Sequence, residues 1–276
     1  LLMIVIFLAY PLVRLLVLSF DSGELLRLSE GSKFVGLEHY IDILTDTRYL
    51  EQLVTTVVYT MGTVVGSFVI GFAGALLLDA EFWGRNIARI IVLAPWAVSV
   101  TVTCLIWMWI LDTQFGAVNA ALTGSGILAE NIGWLHTRGW AMFSVILVTT
   151  WRTAPFSCLM LLAGLQSIPR YLYDAAKIDG AGAIRSFFSI TIPQLRSVSS
   201  TVVLILSIWA FRRIGYVMML TGGGPSRTTE TLVLGIHSEA FSSFEFGKAS
   251  ALSVLMVLVT LLYLAVYVRM TKTTEV

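Results

Sequence analysis

The chain has 276 residues, of which 57% are hydrophobic and only 13% charged, and its formal net charge is +1. Soluble domains usually carry about 25% charged residues, so a soluble fold of this size would lack the polar side chains to cover such a core, and lipid must be the solvent for much of the chain. A charge of +1 gives no electrostatic footprint for nucleic acid. Leu1 already lies inside an apolar run, so a preceding segment is expected.

A membrane crossing takes about 20 helical residues. Six runs have that length: 1–20, 53–78, 87–111, 140–165, 198–220 and 247–268. In lipid a helix satisfies its own backbone groups within one segment. The expected fold is therefore an all-α integral membrane protein, a single transmembrane domain over 1–276 with six helices.

In chain order, Arg14 lies near the outer end of the first run and can snorkel to the interface. The segment Asp21–Gln52 is too long for a tight turn and carries the amphipathic pattern FVGLEHYIDILTD. It is expected to be partly helical, external and acidic, with Asp21, Glu24, Glu30, Glu38, Asp42, Asp46 and Glu51. Gly62 and Gly66 stand four apart in the second run, a spacing that lets helices pack closely. Two more external segments, Asp112–Gly139 and Thr221–Phe246, are expected, with Trp134 and Trp140 at the interface level. Cys104 and Cys158 fall inside apolar runs and read as packing residues. His39, His136 and His237 are scattered in loops, and no metal-ligand spacing is present.

Orientation follows the basic residues near span ends. One side holds Arg85, Arg89, Arg170, Lys177, Arg185, Arg196, Arg269 and Lys272; the other holds Arg27, Lys33, Arg48, Arg138 and Arg227, spread over longer segments. The loop 166–197, between the fourth and fifth runs, is thereby placed in the cytoplasm.

That loop contains YLYDAAKIDGAGAIRSFFSITIP, Tyr171–Pro193. Pro169 suits the first turn of a helix. Asp174, Lys177, Ile178 and Ala181 follow at helical spacing, and Gly180 is placed to end the helix in the left-handed conformation. A second short amphipathic segment with Phe187, Phe188 and Ile190 follows, closed by Pro193. Small residues between Ala175 and Ala183 leave room for another surface, as in a docking element.

The stretch resembles the E-A-A-x3-G-x9-I-x-L-P loop of membrane subunits of bacterial ATP-binding-cassette importers. Ala175, Ala176, Gly180, Ile190 and Pro193 stand at the required spacing; Asp174 replaces the usual Glu and Ile192 the usual Leu. FVGLEHY, LAPWAVS, WRTAPF, LLAGLQSIPRYLYDAA and LTGGGPSRTTETL are similar to the sugar-importer branch. The resemblance implies a coupling helix that docks on an ATPase through Asp174, Ala175, Ala176, Asp179, Gly180, Ile190 and Pro193. It also implies a second related permease, two ATPase subunits carrying ATP and magnesium, and an external solute-binding protein or lipoprotein. The expected role is half of the translocation pathway for a sugar, oligosaccharide or glycerol-phosphate-type solute, in a bacterial inner membrane.

The chain has no P-loop: TGGGPSRT lacks the lysine that a Walker A motif needs. No H-E-x-x-H or G-x-S-x-G occurs either, so no catalytic residue, resident cofactor or metal is expected. For the substrate pathway the candidates are Arg212, Arg213, Tyr216, Arg152 and Trp151. An arginine at the bilayer centre costs about 2.5–3.5 kcal/mol on insertion scales, so such residues face a partner or a wet cavity. Adjacent helical residues diverge by about 100°, so Arg212 and Arg213 are expected to point apart. Phosphate oxygens are one partner for such a pair. The alternative class, an ion-coupled secondary transporter, would need intramembrane carboxylates or broken helices; the middles of runs two to six hold no acidic residue.

Overall fold

The computed structural model describes residues 3, 7, 9–22 and 33–272. Glu24, Arg27 and Glu30 of the external segment, and positions 1, 2, 4–6 and 8 of the first run, lie outside the described residues. Helices account for nearly all of the regular secondary structure among the described residues. The one extended pairing among the described residues is a single antiparallel bridge between Asp21 and Phe34.

The helices are α1 (Tyr10–Leu18), α2 (Glu38–Thr45), α3 (Thr47–Asp79), α4 (Arg85–Ala97), α5 (Val100–Ile110), α6 (Ala117–Gly124), α7 (Trp140–Ser167) and α8 (Arg170–Ile178). After them come a run Ala183–Gln194, here α9, then α10 (Arg196–Arg212), α11 (Gly215–Leu220), α12 (Leu232–Phe241) and α13 (Phe246–Lys272). Among the described residues three helices, α3, α7 and α13, are long and apolar enough to cross a membrane alone. Two bent pairs qualify when each is taken together: α4 with α5, and α9 with α10.

Two expected spans are broken. The third run, 87–111, is two helices bent by 102° at Val98–Ser99. Pro95 supplies no N–H to the α4 ladder, Val98 is extended (φ −76°, ψ 137°), and the Ser99 side chain caps α5 by accepting from Val102 N–H. The fifth run, 198–220, is interrupted at Arg213 and Ile214, between α10 and α11. Arg212 ends one helix and Arg213 lies in the break, so the helical 100° separation expected for them does not apply.

The chain divides into two units, Leu1–Tyr59 with His136–Ala141 and Phe211–Val276, and Thr60–Leu135 with Met142–Ala210. The first unit is cored by Ile43, Tyr49, Leu232, Ala251 and Leu252. The second is cored by residues of α3, α7 and α10, among them Ala75, Leu161 and Val202, all fully buried. Glycines bring α3 onto α7 in this unit. A β-carbon on Gly62 would sit 2.7 Å from Ile146 Cδ1, one on Gly66 2.8 Å from Thr150 Oγ1, and one on Gly71 would collide with Ser157 Cβ. The two helices approach at backbone distance because these positions lack side chains.

The segment from Asp112 to Trp134 is organised by one side chain. Asn119, 1% exposed, donates from Nδ2 to the carbonyls of Thr113 and Ile132, while its Oδ1 accepts from Ile132 N–H and Trp134 Nε1.

A candidate coupling loop

α7 ends at Ser167, and Ile168 is buried against the core of its unit. Pro169 takes the N-cap of α8 rather than its first turn, with extended backbone (φ −63°, ψ 128°). The amphipathic α8 turns Leu172 and Tyr173 onto the core and leaves Tyr171, Asp174, Ala175 and Ile178 exposed. Lys177 in the last turn complements the helix dipole.

The end of α8 closes in two hydrogen bonds. Ala181 N–H donates to Ala176 O at 2.8 Å and Gly180 N–H to Lys177 O at 3.1 Å. This is the Schellman pattern, which needs a left-handed residue after the cap; Gly180 has φ +75°. α9 follows at once, and Tyr173 OH meets Thr191 Oγ1 at 2.9 Å, tying the two short helices together.

Pro193 stands at the end of the second segment: α9 stops one residue later, at Gln194, and the chain bends by 61° into α10. Upstream, Phe187–Thr191 is wound as a π-helix. A proline cannot bond to the carbonyl four residues back and its ring crowds that group, here Ser189; the wider turn accommodates it. No hydropathy pattern signals such a turn.

Of the seven residues expected to contact an ATPase, Asp174, Ala175, Asp179, Gly180 and Pro193 are exposed and Ala176 is half-buried. Ile190 packs on the core instead, so its part is to seat α9. Asp174 faces Lys177 one turn on at 3.5 Å, both exposed. Beneath the loop is a cleft of about 710 Å³, with Asp79, Arg85, Gln166 and Lys177 among its walls. Arg85 is held there by donating from Nε to Leu78 O at 2.6 Å.

The five pathway candidates fall in different places. In the second unit Arg152 Nε donates to Val98 O at 2.7 Å, capping the carbonyl left open at the bend between α4 and α5. Its neighbour Trp151 meets Trp107 edge to face, ring centroids 5.7 Å apart, and both line an apolar cleft of about 280 Å³ with Pro95 and Pro155. In the first unit the Arg213 guanidinium carbon lies 6.0 Å from the ring centre of the buried Tyr216, and Arg212 is exposed.

Two buried carboxylates were not singled out by the sequence. Glu230 and Glu239 are 7% and 3% exposed, and both pair with Arg48, about 180 and 190 positions away along the chain. Only the run LVLGIHSEAF hinted at one of them, placing Glu239 within an apolar stretch; Glu230 follows the polar TGGGPSRTT.

A family profile described as "Binding-protein-dependent transport system inner membrane component" matches residues 66–275. The chain is 37% identical over 268 residues to the sulfoquinovosyl glycerol transport system permease protein SmoG of Agrobacterium fabrum, covering 96% of this chain and 85% of that one. It is 30% identical over 234 residues to the sn-glycerol-3-phosphate transport system permease protein UgpA of Yersinia pestis, covering 84% and 78%. The fold is that of a subunit in the crystal structure of a bacterial alginate ABC transporter in complex with an alginate pentasaccharide-bound periplasmic protein. There the TM-score is 0.86 at 19% identity, over 99% of this chain and 91% of that one. With the profile covering most of its length and SmoG matched almost end to end, this chain belongs to the inner membrane components of binding-protein-dependent transport systems.

Proposed function

We propose that the chain forms half of the translocation pathway of an ATP-driven importer, with a second related permease, two ATPase subunits and an external solute-binding protein. ATP and magnesium belong to the ATPases. Family membership supports this reading over the ion-coupled alternative. The observation that carries it is the α8–α9 loop. Ile178 and Ile184 are 87% and 78% exposed, and Tyr171 and Phe188 are exposed beside them. Large apolar side chains gathered on an otherwise polar loop mark a protein contact. The loop is internally rigid through its Schellman closure and the Tyr173–Thr191 contact, so it can pass on the motion of a partner. In this reading it faces the cytoplasm, six helices span the membrane, and ATPase closure moves the two permeases about the pathway between them.

The solute is a sugar, oligosaccharide or glycerol derivative with an anionic group. Two relatives bear names with such solutes, sn-glycerol-3-phosphate and the sulfo-sugar glycoside sulfoquinovosyl glycerol. Arg212 and Arg213 lie where an apolar helix is interrupted, a feature that in transporters lines solute sites, and guanidinium groups bind phosphate-type oxygens in paired geometry. Trp151, Tyr216 and Arg152 serve the pathway indirectly, Arg152 by fixing the α4–α5 bend. The test is uptake by the reconstituted complex with Arg212→Gln or Arg213→Gln. One of the two should lose at least about tenfold in uptake of the anionic solute, as expected when a charge-assisted contact of 1.5–3 kcal/mol is removed, with the complex still assembled. An unmutated complex that carries only neutral sugar would contradict the anionic reading.

A further inference from the structure

The first three turns of α3 meet α12 and the residue Glu230 ahead of it, in the first unit, through a seam of buried charge. Arg48 Nη1 donates to Glu239 Oε1 at 2.8 Å and Nη2 to Glu230 Oε1 at 3.3 Å. Tyr49 OH donates to the same Glu239 oxygen at 3.0 Å. Two turns on, Thr56 Oγ1 accepts from Leu232 N–H at 2.8 Å. Between them Gln52 lies so close to Gly235 that a β-carbon there would collide with its amide.

The seam is polar beyond what its pairing requires. Gln52 is 2% exposed, yet neither its Nε2 nor its Oε1 has a hydrogen-bond partner, and Arg48 Nε, Glu230 Oε2 and Thr231 Oγ1 are likewise buried without one. Glu230 Oε2 has only a 3.7 Å contact with the exposed Arg227. Buried polar groups are nearly always satisfied, so such a cluster demands an explanation. Permanent docking is achieved more cheaply by apolar contact, because a buried ion pair gives little net stability against a well-packed hydrophobic replacement. The neighbouring cluster of Ile43, Tyr49, Leu232, Ala251 and Leu252 docks in that apolar way. Tyr49 and Leu232 belong to both seam and cluster, so parting the seam exposes their edges, but its charged groups differ from the cluster in one respect: water solvates them when they separate.

We propose that the Arg48–Glu230–Glu239 seam is a latch that parts and re-forms in each transport cycle, joining the start of α3 to α12 in one state of the importer and releasing it in another. The device rests on the importer reading and adds to it a specific moving contact. When the latch parts, water satisfies Gln52, Thr231 and the free edges of Arg48 and Glu230. When it closes, the two carboxylates fix one register.

The test uses the assembled complex in proteoliposomes, with Cys104 and Cys158 replaced by Ala. In the first arm Gln52→Cys and Gly235→Cys are combined; removing the Gln52 amide also removes the group that a β-carbon at 235 would strike. The reduced complex should import, oxidation to the cross-link should stop import, and reductant should restore it. Undiminished import by the cross-linked complex would overturn the latch. The second arm replaces the charges by Arg48→Met, Glu230→Leu and Glu239→Leu together. The complex should melt no lower than the unmutated one, while import falls at least about tenfold, within the range of ordinary conformational coupling. Unchanged import, or a complex that melts lower, would identify the seam as static packing and overturn the proposal. Failure of the unmutated complex to import with ATP would instead count against the importer reading itself.

Discussion

Gly180 has φ +75° and no atom within 4 Å of the place a β-carbon would take. The constraint is therefore on the backbone and not on space inside the chain. An L-residue forced into this region costs about 1–2 kcal/mol, which is a factor of 5–30 in an equilibrium. Because Asp179 to Ala183 lies outside the core, the cost falls on the α8–α9 turn. Gly180→Val should leave membrane levels of the protein unchanged and reduce both ATPase copurification and uptake. Gly182, with φ −72°, tolerates alanine without such strain, so Gly182→Ala serves as the backbone control. Normal uptake by Gly180→Val would remove the turn from the coupling account. The punctuation of this loop was legible in the sequence because it is local: the glycine that closes α8 and the proline that precedes it act within a few residues.

At the scale of helices, α3 and α7 pack through Gly62, Gly66, Gly71 and Gly74, the last 3.1 Å from Cys158 Sγ by a built β-carbon. Gly71 has the tightest site, with Ala154 O at 2.8 Å and Cys158 N at 2.9 Å, both backbone atoms that cannot rotate away. Gly71→Leu should therefore lower the stability of the complex by about 1–3 kcal/mol or more, the cost of overpacking a close contact. Thermal unfolding followed by size-exclusion fluorescence would measure it. Gly74→Ala, facing the tip of a cysteine, should cost less. An unchanged melting temperature for Gly71→Leu would mean the helices are further apart than described. Sequence spacing pointed to Gly62 and Gly66, since a four-residue repeat marks one helix face. It did not point to the breaks at Val98–Ser99 and Arg213–Ile214. Hydropathy registers how apolar a run is, and a bent pair is as apolar as a straight helix. The second break differs from the first in carrying charge where the helix stops.

At the scale of the molecule, two features carry the functional reading. One is the exposed apolar set on α8 and α9; the other is the buried seam of Arg48, Glu230 and Glu239 inside the first unit. The seam was beyond the sequence because its partners are separated by most of the chain and meet only through tertiary structure. Either acid read alone is one more loop charge. The loop was within reach because its spacing is a motif. The account's central claim is that Ile178, exposed on α8, lies against an ATPase in the cytoplasm. The most direct measurement is to place a photoreactive amino acid at Ile178, irradiate intact membranes of cells making the whole importer, and identify what becomes attached. An adduct with the ATPase subunit, absent when the same probe replaces Arg227, which the proposed orientation puts on the opposite side of the membrane, is the predicted result. An Ile178 adduct with the external solute-binding protein, or none with the ATPase in an importer that transports, would contradict the account.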